Sequence, residues 1–465
     1  MKVAFVNPAY HYPVARQAEG PPFLTRIWPP LEMANVAGML RRNFPRIEVS
    51  IIDANALNLQ PRQVLRSLED SGVIVISTAA FDRWQCPNPD IHPSASYAKV
   101  IRTALPESEI LIIGPHGTAR PNWVLRNFPS PSVVVRGEPE FTLMCLIKNF
   151  YEGKDFREIE GISYIDEGGI VNNPARSFSQ DLDAFTVPSF DLLPIHKYDY
   201  PILGKPFSLV ETSRGCPFSC NFCLKSMHGS QYRTKNVENV MRELKYLYYE
   251  LKVPNVYFLD LEFTLRMDRV EGLCDSITKD GMDLHWTCQT RPDQVNEHLL
   301  EVMRRSGCQL IHYGVESGNE RTLKLMRKDL SLKQIKDAIK ATRRANILSA
   351  VFILLGYPGE KLEDMERSIQ FAREINPDFV SFHVVTPYSG TDLYESLRKD
   401  VEGEPFSAAY MCEDWTIDDL ERIRQKAFRE FYFRPRYILS KSSLLRRLSP
   451  RELMRDIRIL LSHIR

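Results

Sequence analysis

The sequence predicts an α/β protein with two parallel-sheet units. The first is a doubly wound, Rossmann-like sheet, and the second is a partial (β/α)6 barrel of the TIM type with a small helical C-terminal region. Short apolar runs alternate with helical patterns at the start of the chain, and six further runs alternate with helical patterns later. A stretch rich in glycine and proline separates the two series. We therefore divide the chain into 1–151, a linker 152–206, 207–400 and 401–465.

The composition indicates a globular protein rather than a disordered one. The 465 residues are 43% hydrophobic and 26% charged, and nine cysteines in this length do not indicate a disulfide scaffold. No apolar run reaches the ~20 residues that a membrane-spanning helix needs. The N-terminal segment lacks the apolar stretch and cleavage site of a signal peptide, so we expect a cytoplasmic protein. The net charge of +1 indicates no particular class of partner.

Five apolar runs in the first unit are predicted as strands of a parallel sheet. Loops at the carboxyl ends of such strands form the ligand crevice, so we expect ligand contacts at Ser77, Thr78, Gly114 and Gly117, where the glycines permit close backbone approach. The predicted strands are Lys2–Asn7, Glu48–Asp53, Gly72–Thr78, Glu109–Gly114 and Ser132–Arg136, and helices are predicted near Leu31–Arg42, Pro61–Leu68, Ser94–Leu105 and Asn122–Phe128 and after Glu138.

The second unit contains six predicted βα repeats, and its chemistry is expected at the carboxyl ends of the strands. Candidate catalytic side chains there are Asp260, Glu262, Arg291 and His312, with Gln289 and His383 as further residues that could face a substrate. A lone histidine on a strand is more often structural. The predicted strands are Ser208–Ser213, Asn255–Leu261, Asp283–Thr290, Gln309–Val315, Leu348–Leu355 and Phe379–Pro387, with helices such as Val237–Leu251, Leu332–Ala345 and Leu362–Ile375.

Three cysteines follow the first of these strands with the spacing Cys-x3-Cys-x2-Cys. Three thiolates so close together, Cys216, Cys220 and Cys223, can ligate three irons of a [4Fe–4S] cluster and leave the fourth iron open. A zinc knuckle or three buried thiols are the alternatives. Zinc sites favour two Cys-x2-Cys or Cys/His pairs, and the sequence has no second pair. The spacing therefore favours an iron–sulfur cluster with one reactive position.

The cysteine loop resembles the signature of the radical S-adenosylmethionine (SAM) superfamily, in which an aromatic residue, here Phe222, precedes the last cysteine. The resemblance implies that Phe222 contacts the adenine of SAM. The run Gly-Val-Glu-Ser-Gly at 314–318 resembles the ribose-binding motif, which makes Glu316 the expected acceptor for ribose hydroxyls. In the same family a basic residue about one helical turn into the next element pairs with the SAM carboxylate. Lys328 is at the matching position, and Arg327 is the alternative. Gly356 begins a run that resembles the motif whose backbone faces adenine.

Residues 1–151 resemble the cobalamin-binding domain that precedes the radical SAM domain in one large subclass. The loops at Ser77-Thr78 and at 114–117 match the places where that domain holds the corrin, and the run 134–140 is typical of it. The motif Asp-x-His-x-x-Gly is absent after the first strand, so the resemblance implies a cobalamin without a histidine ligand to cobalt. A nucleotide-binding or cofactor-less sheet domain is the alternative.

These resemblances imply a C-methyltransferase. In such an enzyme SAM is cleaved reductively to a 5′-deoxyadenosyl radical, hydrogen is removed from an unactivated carbon, and methylcobalamin delivers the methyl group. A one-electron reductant of the flavodoxin or ferredoxin type is implied as a partner. A radical cyclase or carbon-skeleton rearrangement enzyme is the alternative. Methylthiotransferases need three more cluster cysteines, whereas residues 1–150 contain only Cys86 and Cys145. The substrate class, small molecule, lipid-like or peptide, stays open.

The C-terminal tail is basic. Residues 421–465 contain 13 Lys and Arg against four Asp and Glu, and residues 431–438 resemble the closing region of the subclass related to anaerobic porphyrin cyclases and hopanoid-modifying enzymes. One interpretation is peripheral membrane contact through 449–465. A helix that caps the barrel is the other, and no nucleic acid partner is expected. The apolar stripe that motivates the membrane interpretation is Leu453, Ile457, Leu460, Leu461 and Ile464.

Overall fold

The computed structural model describes residues 1–10, 27–79, 87, 90–128, 131–200, 202–397, 415–435 and 437. The segment 449–465, predicted to contact a membrane or cap the barrel, lies outside these residues together with most of 401–465. None of the helices within the described ranges is long and apolar enough to cross a membrane.

The first unit contains seven strands: β1 (Lys2–Asn7), β2 (Glu48–Asp53), β3 (Ser71–Ser77), β4 (Glu109–Ile113), β5 (Val133–Val135), β6 (Ile162–Asp166) and β7 (Gly169–Asn172). They form one sheet in the order β2-β1-β3-β4-β5-β6-β7, in which β1 to β5 are parallel. Its helices are α1 (Leu31–Asn43), α2 (Ala54–Leu57), α3 (Leu65–Leu68), α4 (His92–Ala104), α5 (Pro115–Ala119), α6 (Pro121–Asn127) and α7 (Pro139–Glu152).

Both faces of this sheet are covered. Val3 and Phe5 of β1 pack with residues of α1 and α7, whereas Ala4 and Val6 pack with residues of α4 on the opposite face. All four side chains are fully buried. Burial on both faces explains why the strands appear in the sequence as continuous apolar runs rather than as an alternating pattern. The predicted doubly wound sheet is confirmed.

The structure differs from the predicted linker at residues 152–206. Strand β6 pairs antiparallel with β5, and a tight turn returns the chain as β7, so the sheet is longer than predicted. Strands of four and five residues on a sheet edge carry too few apolar positions for their pattern to be recognised. After β7 the chain passes along α1, where the backbone N–H of Ser189 donates to the carbonyl of Ala34 at 2.9 Å.

The second unit is an open barrel of six parallel strands. The strands are β8 (Phe207–Val210), β11 (Asn255–Phe258), β12 (His285–Thr290), β13 (Cys308–Glu316), β14 (Leu348–Leu355) and β15 (Phe379–Val384), and a separate antiparallel ribbon is made of β9 (Ser213–Arg214) and β10 (Arg233–Thr234). The order is β15-β14-β13-β12-β11-β8. Within the described residues β8 and β15 do not pair with each other, so the predicted partial barrel is confirmed.

Helices cover the outside of the barrel. They are α8 (Val237–Lys245), which continues into a π-helical turn (Tyr246–Glu250), α9 (Met267–Asp280), α10 (Glu297–Arg305), α11 (Glu320–Leu325), α12 (Leu332–Arg344), α13 (Leu362–Ile375), α14 (Asp392–Leu397) and α15 (Ile417–Tyr432). The edge strand β15 is covered by α15, whose Tyr432 hydroxyl donates to the carbonyl of Val380 at 2.8 Å. Covering an edge strand in this way removes a surface that could otherwise pair with another chain.

Candidate active site

The cysteine loop leaves the barrel immediately after the short strand β9. Gly215 has φ +81°, and a Cβ there would overlap the backbone oxygen of Gln231, so a glycine is required. The backbone N–H of Cys216 donates to the carbonyl of Gly229 at 3.4 Å. The loop therefore begins against the 228–231 turn, which precedes β10.

Asn221, between the second and third cysteines, attaches the loop to the other side of the barrel. Its Nδ2 donates to the carbonyl of Leu325 at 3.0 Å, and its Oδ1 accepts from the hydroxyl of Tyr357 at 2.6 Å. Its backbone N–H donates to Met326, and its carbonyl accepts from Leu393. Sequence reasoning did not identify this residue, because an asparagine inside a loop motif gives no signal of its distant partners.

The three cysteine residues of the loop are partly exposed as whole residues, unlike Cys274, Cys288 and Cys308, which are buried among the apolar residues of the barrel. Burial raises the pKa of the Cys223 thiol, and Cys216 and Cys220 raise it further. Three thiolates together therefore need a strong positive charge, which a metal centre supplies.

The donor set of the loop can be compared with what a cluster requires. In the described part of the chain no three His, Cys, Asp or Glu side chains converge as a site for one metal ion. The thiolates of a four-iron cluster bind different irons, so they need not converge on one point. The donor set, three thiols on one loop, thus fits a [4Fe–4S] cluster.

Glu316 and Lys328 form a buried ion pair next to this loop. Lys328 Nζ lies 3.2 Å from Glu316 Oε1. Burial opposes the charge of Lys328, but Glu316 and the nearby Cys220 raise the pKa of its ammonium group above the usual value. Arg327, the fallback of the sequence prediction, is exposed and pairs with Asp392 at 2.8 Å. Of the two basic residues, Lys328 is therefore the one that faces the site.

Gly314 makes room for this pair. A Cβ at position 314 would lie 2.7 Å from Glu316 Oε1 and 2.9 Å from Lys328 Nζ. Glu316 itself has φ +67°, which is uncommon for a residue with a side chain. The end of β13 is therefore shaped around the Glu316 carboxylate, and backbone strain of this kind occurs most often at functional sites.

An apolar cluster lies beside the third cysteine. Phe222 packs against Met326, Tyr357, Val385 and Leu393, which come from four different segments around the loop. The structure thus brings Phe222 together with the 356–360 turn, as the sequence predicts for two parts of an adenine slot. Whether adenine occupies it stays a prediction.

Gly356 has a packing role in addition to any role in binding. It has φ +79°, and a Cβ there would lie 2.6 Å from the Leu420 side chain of α15. Glu360 closes the same turn: its Oε2 accepts from the backbone N–H of Tyr357 at 2.8 Å. Burial raises the pKa of Glu360 to about 7. The turn is thus stabilised by the Glu360 carboxylate and by packing against Leu420 of α15.

The two acids at the end of β11 are used by the fold. The Asp260 carboxylate accepts from the backbone N–H groups of Thr212 at 2.7 Å and Ser213 at 3.0 Å, which fixes the segment before the cysteine loop. Both Glu262 oxygens accept from the backbone N–H of Arg291 at 3.0 Å. Burial raises the pKa of Glu262 to about 7. Both candidate catalytic acids are thus anchors in this structure.

Arg291 contacts the cysteine loop rather than the barrel interior. Its guanidinium group lies 3.9 Å from the centroid of the Phe218 ring and pairs with Asp293 at 2.9 Å. A cation over an aromatic face is favourable by about 0.5–2 kcal/mol. Arg291 therefore holds the loop between its first two cysteines.

His312 belongs to an aromatic wall inside the barrel. Its Nε2 lies 2.9 Å from the hydroxyl of Tyr200, and its ring stacks on Phe352 at a centroid distance of 5.7 Å. Tyr257 continues the wall at 5.6 Å from His312 and is within 3.4 Å of Gln289. His383, on the edge strand, is exposed and contacts Ser381.

The predicted cobalamin-contact residues pack on one another. The Thr78 hydroxyl donates to the carbonyl of Ile113 at 3.1 Å, and a Cβ at Gly114 would lie 2.6 Å from Thr78 Oγ1. A Cβ at Gly117 would lie 2.6 Å from Val134. Ser77 is fully buried and donates to the carbonyl of Ala79 at 2.7 Å. Gly114 therefore allows the loop after β4 to approach the loop after β3, and Gly117 allows α5 to pack on β5. Contact of these loops with a ligand stays a prediction.

The carboxyl edge of the N-terminal sheet faces the cysteine loop side of the barrel. Thr118 Oγ1 lies 3.1 Å from Met227 Sδ, which follows the last cysteine by four positions. Arg120 donates to the hydroxyl of Tyr394 at 2.5 Å. At the same edge Gly137 has φ +74° and no described atom within 4 Å of a Cβ built on it. The carboxyl ends of the strands, where each unit is expected to bind its ligand, therefore lie against each other.

Comparison with known proteins agrees with this arrangement. Residues 210–372 match the model of the Radical SAM superfamily. Over 428 residues the chain is 31% identical to the uncharacterized methyltransferase PH0819 of Pyrococcus horikoshii, an alignment that covers 88% of this chain and 89% of the relative. It is 27% identical over 408 residues to an anaerobic magnesium-protoporphyrin IX monomethyl ester cyclase of Rubrivivax gelatinosus, covering 86% and 71% of the two chains.

The fold of the whole chain also has a solved counterpart. The structure of OxsB, a cobalamin-dependent S-adenosylmethionine radical enzyme with aqua-cobalamin and S-adenosylmethionine bound, is similar with a TM-score of 0.74 at 18% identity. The match covers 100% of this chain and 72% of OxsB. The chain belongs to the radical SAM superfamily, and it is an enzyme whose cofactors include a [4Fe–4S] cluster and SAM.

Proposed function

We propose that this enzyme is a cobalamin-dependent radical SAM C-methyltransferase. The observation that carries the proposal is the meeting of the two ligand edges, where Thr118 of the N-terminal unit contacts Met227 beside the cysteine loop. A corrinoid held at the first edge would lie next to a substrate held in the barrel. The similarity to PH0819, which is named a methyltransferase, and to OxsB, which binds cobalamin, supports the same conclusion.

The cofactors would supply the chemistry and the chain would hold them. When bound, the cluster would supply the electron that cleaves SAM to methionine and the 5′-deoxyadenosyl radical, which removes a substrate hydrogen atom, and methylcobalamin would supply the methyl group that replaces it. A second electron from the reductant and a second SAM would restore methylcobalamin. Cys216, Cys220 and Cys223 would hold the cluster. A one-electron reductant of the flavodoxin or ferredoxin type would be the physiological partner.

The residues around the cysteine loop have suitable chemistry for SAM. The Lys328 ammonium would pair with the SAM carboxylate, and the Glu316 carboxylate would accept from the ribose hydroxyls. Phe222 and Tyr357 would contact adenine in the apolar cluster beside Cys223. Lys328 lies near Cys220, and Phe222 of the apolar cluster directly precedes Cys223, so SAM bound at the cluster would lie near both groups.

The aromatic wall would face the substrate. Tyr257, His312 and Phe352 line the inner face of the barrel, and Phe352 is only partly buried. Apolar rings keep water away from a reacting carbon centre. Such a wall would favour an apolar portion of a small molecule, a lipid-like substrate or a peptide side chain over a charged one.

Methyl transfer predicts a defined product. Anaerobically reconstituted protein, incubated with SAM, methylcobalamin, a one-electron reductant and candidate extracts, should convert a substrate into a product heavier by one CH2 unit. With SAM that carries a deuterated methyl group, the label should enter the product. Protein expressed with cobalamin uptake should also purify with a corrinoid absorbance. Failure to retain any corrinoid would contradict the proposal.

A radical cyclase is the second candidate, favoured by the similarity to the Rubrivivax gelatinosus cyclase over 86% of this chain. A cyclase or rearrangement enzyme would release 5′-deoxyadenosine without any gain of a methyl group. The same incubation separates the two reactions: a product without label from the methyl group of SAM would favour cyclisation or rearrangement.

A further inference from the structure

Two buried arginines lie opposite each other in the β9–β10 ribbon that brackets the cysteine loop. Arg214 pairs with Arg233 in the register of the ribbon, and Arg214 is two positions before Cys216. The two residues are 1% and 5% exposed. Like charges directly opposite in an antiparallel pair repel each other, and burial strengthens the repulsion because water no longer screens it. The ribbon therefore requires acidic partners.

The N-terminal unit supplies the bidentate partners. Arg214 Nη2 and Nη1 donate to the two carboxylate oxygens of Glu140 at 2.5 and 3.1 Å. Arg233 Nη2 and Nη1 donate to the two oxygens of Glu138 at 2.7 and 3.1 Å. Arg214 Nε also donates to Glu211 of the barrel at 2.8 Å. Bidentate pairs of this kind fix orientation as well as charge.

The same contacts continue to the first cysteine. Arg233 Nη2 donates to the carbonyl of His228 at 2.7 Å, and the next carbonyl, that of Gly229, accepts from the backbone N–H of Cys216. Arg214 is joined to Cys216 through Gly215, which packs on the backbone of the same turn. Both backbone segments in contact with Cys216 are thus held by carboxylates from the N-terminal unit.

We propose that the Glu138–Arg233 and Glu140–Arg214 pairs are positioning contacts through which the docked N-terminal unit sets the conformation of the cysteine loop. The cluster site is then complete only when the two units are docked, although no residue of the first unit ligates iron. The four residues need not touch SAM, corrinoid or substrate. The proposal depends on the cluster being held by the loop and not on the reaction being methyl transfer.

Glu140→Gln tests this proposal in the full-length protein. The substitution keeps the size of the side chain and removes its charge. After anaerobic reconstitution we expect the iron content to fall at least twofold and the electron paramagnetic resonance signal of the reduced cluster to change. The matched control is Glu297→Gln, because Glu297 pairs with Arg344 at 2.7 Å on the surface, where both side chains are about 70% exposed. The control should retain wild-type iron content and signal.

A second variant separates positioning from general stability. The triple variant Glu140→Met, Arg214→Met and Glu211→Gln removes one cation together with the two nearest of its three acidic partners; the third, Glu138, lies 3.5 Å from Arg214 and keeps its bidentate pair with Arg233. Apolar replacement of a buried ion pair is often neutral for stability. We expect it to fold, as judged by circular dichroism and gel filtration, and still to give an altered cluster signal. A folded triple variant with wild-type iron content and signal would overturn the proposal, as would a triple variant that cannot fold. Neither readout requires substrate or corrinoid, so the outcome is independent of the proposed methyl transfer.

Discussion

Lys328 Nζ lies 3.2 Å from Glu316 Oε1, and both side chains are buried beside the cysteine loop. The pair joins the end of β13 to the segment that follows α11. A buried pair of opposite charges is costly unless its remaining hydrogen-bonding capacity is satisfied. A ligand that presents a carboxylate and hydroxyl groups, as SAM does, would satisfy both partners.

We expect Glu316→Ala and Lys328→Ala each to weaken SAM binding by about 1–3 kcal/mol, the usual cost of leaving a buried polar partner unsatisfied. The affinity can be measured by equilibrium dialysis of anaerobically reconstituted protein. Arg327→Ala is the neighbouring control, because the Arg327 side chain is exposed and pairs with Asp392 on the surface. Unchanged affinity in both variants of the pair would show that SAM binds elsewhere.

Gly314→Ala should disturb the same pair without removing either charge. The added Cβ would lie within 3 Å of both Glu316 Oε1 and Lys328 Nζ, so the two side chains must move. We expect lower SAM affinity in a folded protein. Gly272→Ala, on α9, is the matched control because nothing lies within 4 Å of its Cβ, and it should raise stability by about 0.5–1 kcal/mol. A Gly314→Ala protein with wild-type affinity would contradict this description of the pocket.

Replacing Cys216, Cys220 or Cys223 by alanine should abolish reductive SAM cleavage and leave the fold intact. Each variant loses one iron ligand from a loop whose backbone is held by other contacts, among them those of Asn221. Reconstituted wild-type protein should carry about four irons per chain at this site. Cys145→Ala, a partly exposed thiol in α7, is the control. Formation of 5′-deoxyadenosine by the triple alanine variant would refute the cluster assignment.

Glu360→Gln should stabilise the protein at neutral and alkaline pH. Burial raises the pKa of Glu360 to about 7, whereas the pKa of a glutamate in an unfolded chain is about 4.3. Between these values the folded protein retains a proton that the unfolded chain has released, so the folded state loses stability as the pH rises through this window.

The glutamine cannot ionise, so the variant should gain up to about 3 kcal/mol over wild type between about pH 5 and 7 and keep that gain above it. Urea unfolding of the apoprotein at pH 5 and pH 8 measures the difference. Glu301→Gln, an exposed position on α10, controls for the substitution itself. If the free energy of unfolding depends on pH equally in wild type and Glu360→Gln, the pKa of Glu360 is not raised in the folded protein.

The sequence by itself determined the fold class and the cysteine loop. Continuous apolar strands alternating with amphipathic helices predict parallel sheets, because strands covered on both faces have no polar side to show in the pattern. The cysteine motif can also be recognised without the fold, because Cys216, Cys220 and Cys223 lie within one short segment. The strands β6 and β7 were not predicted, since four or five residues are too few for a pattern to be recognised.

Only the tertiary structure decided what the charged residues do. Asp260 and Glu262 are predicted as candidate catalytic acids from their position at a strand end, but their partners, Thr212 and Arg291, are on neighbouring segments and make them anchors. Arg214 and Glu140 are 74 residues apart in the chain and form a bidentate pair in the fold. The sequence does not show which residue pairs with a given charged side chain. Once the side chain is buried, that partner determines whether it binds a ligand, positions a neighbouring segment or only neutralises another charge. The signal that could have suggested this network is local: an arginine immediately before the loop's glycine, and two glutamates flanking Pro139.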